Sequence, residues 1–89
     1  MKDRYLEVTF RKGRPLAAYL YLPRRSGAKS VRTERVAKGI LVDYGESGDV
    51  IGLEITAPGA IAIEDINAVL ERLGQAQLAP EEFSPLVAA

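Results

Sequence analysis

The stretch KGILVDYGESGDVIGLEI, residues 38–55, decides how this chain folds. Two apolar runs flank a short polar centre in which Asp43, Glu46 and Asp49 are interleaved with glycines. Apolar residues at a spacing of two mark strands, and the glycine-spaced centre marks the turn between them. Pairing Asp43 with Val50 sets Val42 opposite Ile51 and Ile40 opposite Leu53. It gathers Ile40, Val42, Ile51, Leu53 and Ile55 on one face. A slip of one residue would divide that set between the two faces, so the pattern specifies the hairpin. The loop then runs from Gly45 to Gly48, two residues that tolerate positive φ.

The three acids of the turn could in principle hold a hard cation. Ca²⁺ takes about six to eight oxygens from a tightly curled loop, and DYGESGD does not follow the EF-hand order. Glu46 and Asp49 read instead as solvated turn residues, with Asp43 capping or hydrogen-bonding within the turn. No metal or other cofactor is expected. Asp43 and Glu54 could form a carboxylate pair for acid–base work, but this register sets Gly39, not Asp43, opposite Glu54.

Upstream, RYLEVTF (residues 4–10) alternates as a half-buried strand, and RKGRP punctuates it with Gly13 and Pro15. LAAYLYL (residues 16–22) is apolar on both faces, which places it inside its sheet. PRRSGAKS (residues 23–30) reads as a loop, and VRTERVAK (residues 31–38) as an edge strand guarded by charge. Downstream, Ala57, Pro58 and Gly59 end the sheet. Ile63, Ile66, Val69, Leu70 and Leu73 then form one stripe at helical spacing. Glu64 and Asp65 in the first turn, Arg72 in the last and Gly74 just beyond complete the helix signature. The expected architecture is α+β: an antiparallel β-meander of about five strands with one C-terminal helix packed on one face. Residues 1–74 form the single domain. Residues 75–89 follow as a tail, mobile or shaped as a short helical turn.

One helix covers one face of such a sheet. Tyr19, Tyr21, Leu41 and Val50 remain on the other, so a homodimer is expected through that second face. The composition agrees with a small module that hides surplus apolar surface: hydrophobic residues make up 47% of 89. The absence of Cys and His removes disulfides, thiol nucleophiles, thiolate metal sites and the usual neutral-pH base. The start MKDRYLEVTF lacks the apolar core of a signal peptide, and no apolar run spans a membrane; a cytoplasmic protein is expected.

Net charge is zero, yet the charges are segregated. Residues 11–38 carry nine basic residues and one acid, and residues 39–89 carry nine acids and one base. The basic run supports an alternative role in nucleic-acid binding through Arg11, Lys12, Arg14, Arg24, Arg25 and Lys29. Zero overall charge argues against it, and the two segments could equally steer protein–protein contact. An unidentified protein partner is therefore also compatible with the sequence.

The hairpin resembles the signature of a small bacterial family catalogued as domain of unknown function 2283. The resemblance is carried by Val42-Asp43-Tyr44, Gly48, and Val50, Gly52, Glu54 and Ile55, with LAAYLYL matching the family's preceding strand. It covers residues 16–56. It implies a small β-rich domain with one helix and an uncharacterised function. This chain departs from the family in its basic FRKGRP turn, where members often carry an acidic one, in its longer basic loop at 23–30, and in a C-terminal helix that many members lack.

Overall fold

The computed structural model describes residues 4–23 and 29–87. Five strands form one antiparallel sheet: β1 (Tyr5–Arg11), β2 (Arg14–Tyr21), β3 (Arg32–Ala37), β4 (Ile40–Tyr44) and β5 (Val50–Ile55). Two helices follow, α1 (Ile63–Arg72) and α2 (Pro80–Val87), after a 3₁₀ turn at Pro58–Ala60.

The sheet order is β1-β2-β5-β4-β3, which corrects the expected uninterrupted meander. The chain leaves β2 and re-enters at the far edge as β3, then returns through β4 so that β5 closes against β2. The reason is burial. This order sets Leu20 beside Leu53 and Leu53 beside Val42, all fully or almost fully buried. It leaves β3, whose Arg32, Thr33, Glu34 and Arg35 are exposed, at an edge where charge blocks further pairing.

The β4–β5 register also differs from the expectation. Ile40 pairs with Ile55, Leu41 with Glu54, Val42 with Leu53 and Asp43 with Gly52; Tyr44 then pairs with Val50 across a bulge. The offset from the expected register is two residues. A period-two pattern cannot distinguish registers two apart, because both keep the same side chains on the same face. Ile40, Val42, Ile51, Leu53 and Ile55 accordingly remain together and buried.

Ile40, Val42, Leu53 and Ile55 join Ala18, Leu20 and Leu22 in a core cluster with Ile66, Val69 and Leu70 of α1. α1 begins where Asp65 Oδ2 accepts the Ala62 N–H at 2.9 Å, which supplies the cap that the Ala62 side chain lacks. It ends in a left-handed turn at Gly74 (φ 73°), with the Gln75 N–H donating to Leu70 O and the Gly74 N–H to Glu71 O.

The segment after Gly74, expected as a mobile tail or short turn, carries the eight-residue helix α2 and contributes Leu78, Phe83 and Leu86 to the core. Pro80 occupies its first position, where the missing N–H costs nothing. Pro85 deprives the Glu81 carbonyl of its helical donor, and the Ser84 hydroxyl donates to that carbonyl at 2.9 Å instead. Two polar side chains fasten the segment. The Asn67 amide takes the Leu78 N–H at 2.6 Å and donates to Leu78 O at 3.3 Å, as a neighbouring strand would. Asn67→Ala should therefore cost about 1 kcal/mol in chemical denaturation, the usual value of a side-chain hydrogen-bonding group whose backbone partners are left half-buried. Arg4 makes the second attachment, to Glu82 and to the carbonyls of Ala76 and Gln77.

Candidate functional site

The face of the sheet opposite the core is built from two rows that the ladder carries across all five strands. One row reads Glu7, Tyr19, Glu54, Leu41, Arg35, from β1 to β3. The other reads Tyr5, Tyr21, Gly52, Asp43, Thr33. Apart from Gly52, these residues are exposed or half-buried, so the alternation that sends Leu20, Leu53 and Val42 inward sends aromatic and charged groups outward.

The rings are organised. Tyr5 stacks on Tyr21 at 4.6 Å between centroids, and Tyr19 tilts against Tyr21 at 4.7 Å. Contacts of this geometry add about 0.5–1.5 kcal/mol beyond area alone. The Tyr21 hydroxyl donates to Glu7 Oε1 at 3.1 Å, and the Tyr19 hydroxyl to Asp43 Oδ2 at 2.6 Å. The Thr33 hydroxyl donates to the other oxygen of Asp43. Tyr19 belongs to β2 and Asp43 to β4, so the ring must cross β5 to make its bond. It does so directly above Gly52, where an added Cβ would lie 2.3–2.5 Å from the ring and hydroxyl of Tyr19. Only glycine leaves that space, which is the usual meaning of a glycine inside a strand.

Of the four residues expected on this face, Tyr19, Tyr21 and Leu41 stand in the rows. Val50 lies past the bulge, opposite Tyr44, and packs against the core cluster. The rows also contain residues that were not singled out as interface candidates: Tyr5, Glu7, Thr33, Arg35, Asp43, Gly52 and Glu54. The glycine inside VIGLEI was the available signal for a close approach; the partners of Asp43 depend on strand order and carried none.

Asp43 and Glu54 are closer than expected, diagonal neighbours on one face rather than separated by several positions. Asp43 is engaged by two hydroxyls there. Among the described residues, no group of three or more Asp or Glu side chains is placed to hold a metal ion.

The four described basic residues of that set, Arg11, Lys12, Arg14 and Lys29, do not form one surface. Arg11, Lys12 and Arg14 sit together at the β1–β2 turn, beside an open depression of about 400 Å³ lined by them and by Pro15 and Leu16. The Lys29 backbone lies near Gly45, at the other end of the strands. Arg24 and Arg25 lie outside the described residues. Among the described residues no helix is long and apolar enough to cross a membrane.

Residues 17–57 match the model of a family described as a protein of unknown function (DUF2283). The matched segment is a little under half of the chain. It holds Tyr19, Tyr21, Asp43, Gly52 and Glu54, and leaves β1, both helices and the basic β1–β2 turn outside. No curated protein and no solved structure matches the chain.

Proposed function

We propose that this protein is a small interaction module that pairs with a second copy of itself through the open face of its sheet. The observation that carries this reading is the polarity of the row Glu7, Tyr19, Glu54, Leu41, Arg35. It begins in an acid on one edge strand and ends in a base on the other. A two-fold axis parallel to the strands and passing over β5 sets each row antiparallel to its copy. Glu7 then meets the second copy's Arg35 at both ends, and Tyr19 meets the second copy's Leu41. Sheets packed face to face lie about 10 Å apart, a gap these side chains span. Glu54 faces its own copy at the centre, an unfavourable contact that limits the affinity.

Size limits it further. Five strands at about 4.8 Å spacing and five residues of about 3.3 Å each give a face of roughly 400 Å². Two such faces fall at the low end of specific interfaces, which implies a transient dimer with a dissociation constant in the micromolar range.

The test is a charge exchange read by sedimentation equilibrium. Each substitution acts twice in a two-fold dimer, so Glu7→Arg alone and Arg35→Glu alone should each weaken association about tenfold. The double variant should restore it, because the row is then reversed rather than broken. Glu54→Gln should tighten the dimer. Single reversals that leave association unchanged, or a double variant as weak as the singles, would sink this arrangement.

A further inference from the structure

The β1–β2 hairpin is longer than the sheet that supports it. β1 and β2 pair along their whole length, from Tyr5 with Tyr21 to Arg11 with Arg14, whereas β5 pairs with β2 only from Ala18 to Tyr21. Residues 9–17 therefore extend beyond the sheet as a two-stranded arm. Its tip is a two-residue turn with positive φ at both Lys12 (53°) and Gly13 (78°), the conformation that matches the twist of a hairpin. A bulge follows the Thr9–Ala17 pair, so that Phe10 faces Pro15.

What this arm exposes is unusual. Phe10 is 48% exposed and Leu16 51%, two of the large apolar side chains most open to solvent. Arg11, Lys12 and Arg14 are exposed around them, and residues 9–17 contain no acid. A solvated turn needs neither the aromatic ring nor the leucine, and three adjacent cations repel one another. An occupant that suits all five side chains presents closely spaced anions beside flat apolar surface. Nucleic acid has that chemistry: phosphates along the backbone, with base edges and sugars in the groove between them. A two-stranded β-ribbon fits a duplex groove, and Phe, Leu and Pro are the side chains that wedge against base steps there.

We infer that the arm of residues 9–17 binds duplex nucleic acid, with Arg11, Lys12 and Arg14 on phosphates and Phe10 and Leu16 against the groove floor. The open sheet face takes no part in this contact, so the inference stands independently of self-association. Zero net charge is compatible with it, because no acid lies within the arm: among the described residues Glu7 stands on β1, Glu34, Asp43 and Glu54 on β3, β4 and β5, Glu46 and Asp49 at the opposite turn, and Glu64, Asp65, Glu71, Glu81 and Glu82 on the helices.

The test is fluorescence anisotropy of the full chain with a labelled 20-base-pair DNA duplex, titrated from 50 to 300 mM salt. Three phosphate contacts predict a slope of log K against log salt of about −2.7. Lys12→Gln should lower its magnitude by about one. The variant carrying Arg11→Gln, Lys12→Gln and Arg14→Gln should lose at least tenfold in affinity at 50 mM salt and most of the slope. Phe10→Ala should weaken binding while leaving the slope intact, which a purely electrostatic surface would not do. Lys29→Gln, at the far end of the strands, should change neither by more than a small amount. Far-ultraviolet circular dichroism of each variant identifies any loss of fold, and Lys12→Gln, a single exposed turn substitution, keeps the test decisive if the triple variant is unstable. No binding at 50 mM salt, or binding whose slope ignores the arm substitutions, overturns the inference. So does binding confined to vesicles of anionic phospholipid run alongside, which would assign the arm to a lipid surface instead.

Discussion

Gly52→Ala is expected to cost about 2 kcal/mol of stability and to lower Tm by roughly 8–16 °C for a chain of this size. The added methyl would occupy the space that the Tyr19 ring crosses. The ring is the outer part of a side chain and can swing away, so the fold survives. Swinging away gives up the hydrogen bond to Asp43, and a bond to a charged acceptor is worth about 1.5–3 kcal/mol. It also disturbs the contact with Tyr21. The background decides the sign. In a Tyr19→Ala variant the ring that overhangs residue 52 is gone, and Gly52→Ala should then be neutral or stabilising by about 0.5 kcal/mol, since glycine is a poor strand residue. Urea denaturation of the four proteins of this cycle measures the coupling. Equal costs in both backgrounds would mean that Gly52 is required for some reason other than Tyr19.

Arg4→Ala is the second large effect, again about 2 kcal/mol. The Arg4 guanidinium makes a bidentate pair with Glu82, Nε to Oε2 at 3.0 Å and Nη2 to Oε1 at 3.1 Å. It also donates to the carbonyls of Ala76 and Gln77. One side chain thus ties the residue before β1 to the approach and first turn of α2. The Arg4 side chain is 15% exposed and that of Glu82 39%, so the pair is screened on one side only. Lysine cannot reproduce a forked set of donors, and Arg4→Lys should recover little of the loss. Hydrogen exchange should localise the effect, with faster exchange across residues 75–87 and little change in β4 and β5.

The same pair makes the α2 attachment acid-sensitive. The hydrogen bond from Arg4 and then that from the Ala79 N–H hold the Glu82 carboxyl below its ordinary value of 4.5; burial opposes them, and the Arg4 charge adds a lesser lowering. A carboxyl whose pKa is depressed by folding stabilises the native state fully above the unfolded value. That contribution is lost as pH falls below about 4.5 and through the lowered native value. Wild type should therefore loosen residues 75–87 below pH 4.5, whereas Glu82→Gln should be weaker at neutral pH and flatter across the acid range. A wild-type exchange profile that does not change between pH 6 and pH 3.5 would contradict this account of the clamp.

Local patterns carried much of the fold. β1, β4 and β5 follow from alternation, β2 from its two apolar faces, α1 from its apolar stripe and terminal charges, and the edge position of β3 from its exposed arginines. Long-range facts were not legible. The pattern of residues 38–55 settles which face is buried, yet it is equally satisfied by registers two residues apart, and the bulge opposite Tyr44 selects between them. Strand order depends on β5 finding β2, a choice made by the collective burial of Leu20, Leu53 and Val42 rather than by any one segment. α2 had a readable start in Pro80 followed by Glu81 and Glu82, but Pro85 inside the helix hid it until Ser84 is seen to satisfy the Glu81 carbonyl. The open face was anticipated at Tyr19, Tyr21 and Leu41. Its Tyr19–Asp43 bond was not, because two residues 24 apart in sequence meet only once β5 lies between them.

The most direct test of the proposed self-association is sedimentation equilibrium of the unaltered chain, from about 10 to 500 µM. Self-association should give a weight-average mass that rises with concentration from 9.7 kDa towards twice that value, with a midpoint in the micromolar range. A mass that stays at 9.7 kDa across the whole range would contradict it and leave the tyrosine-bearing face as a solvated surface.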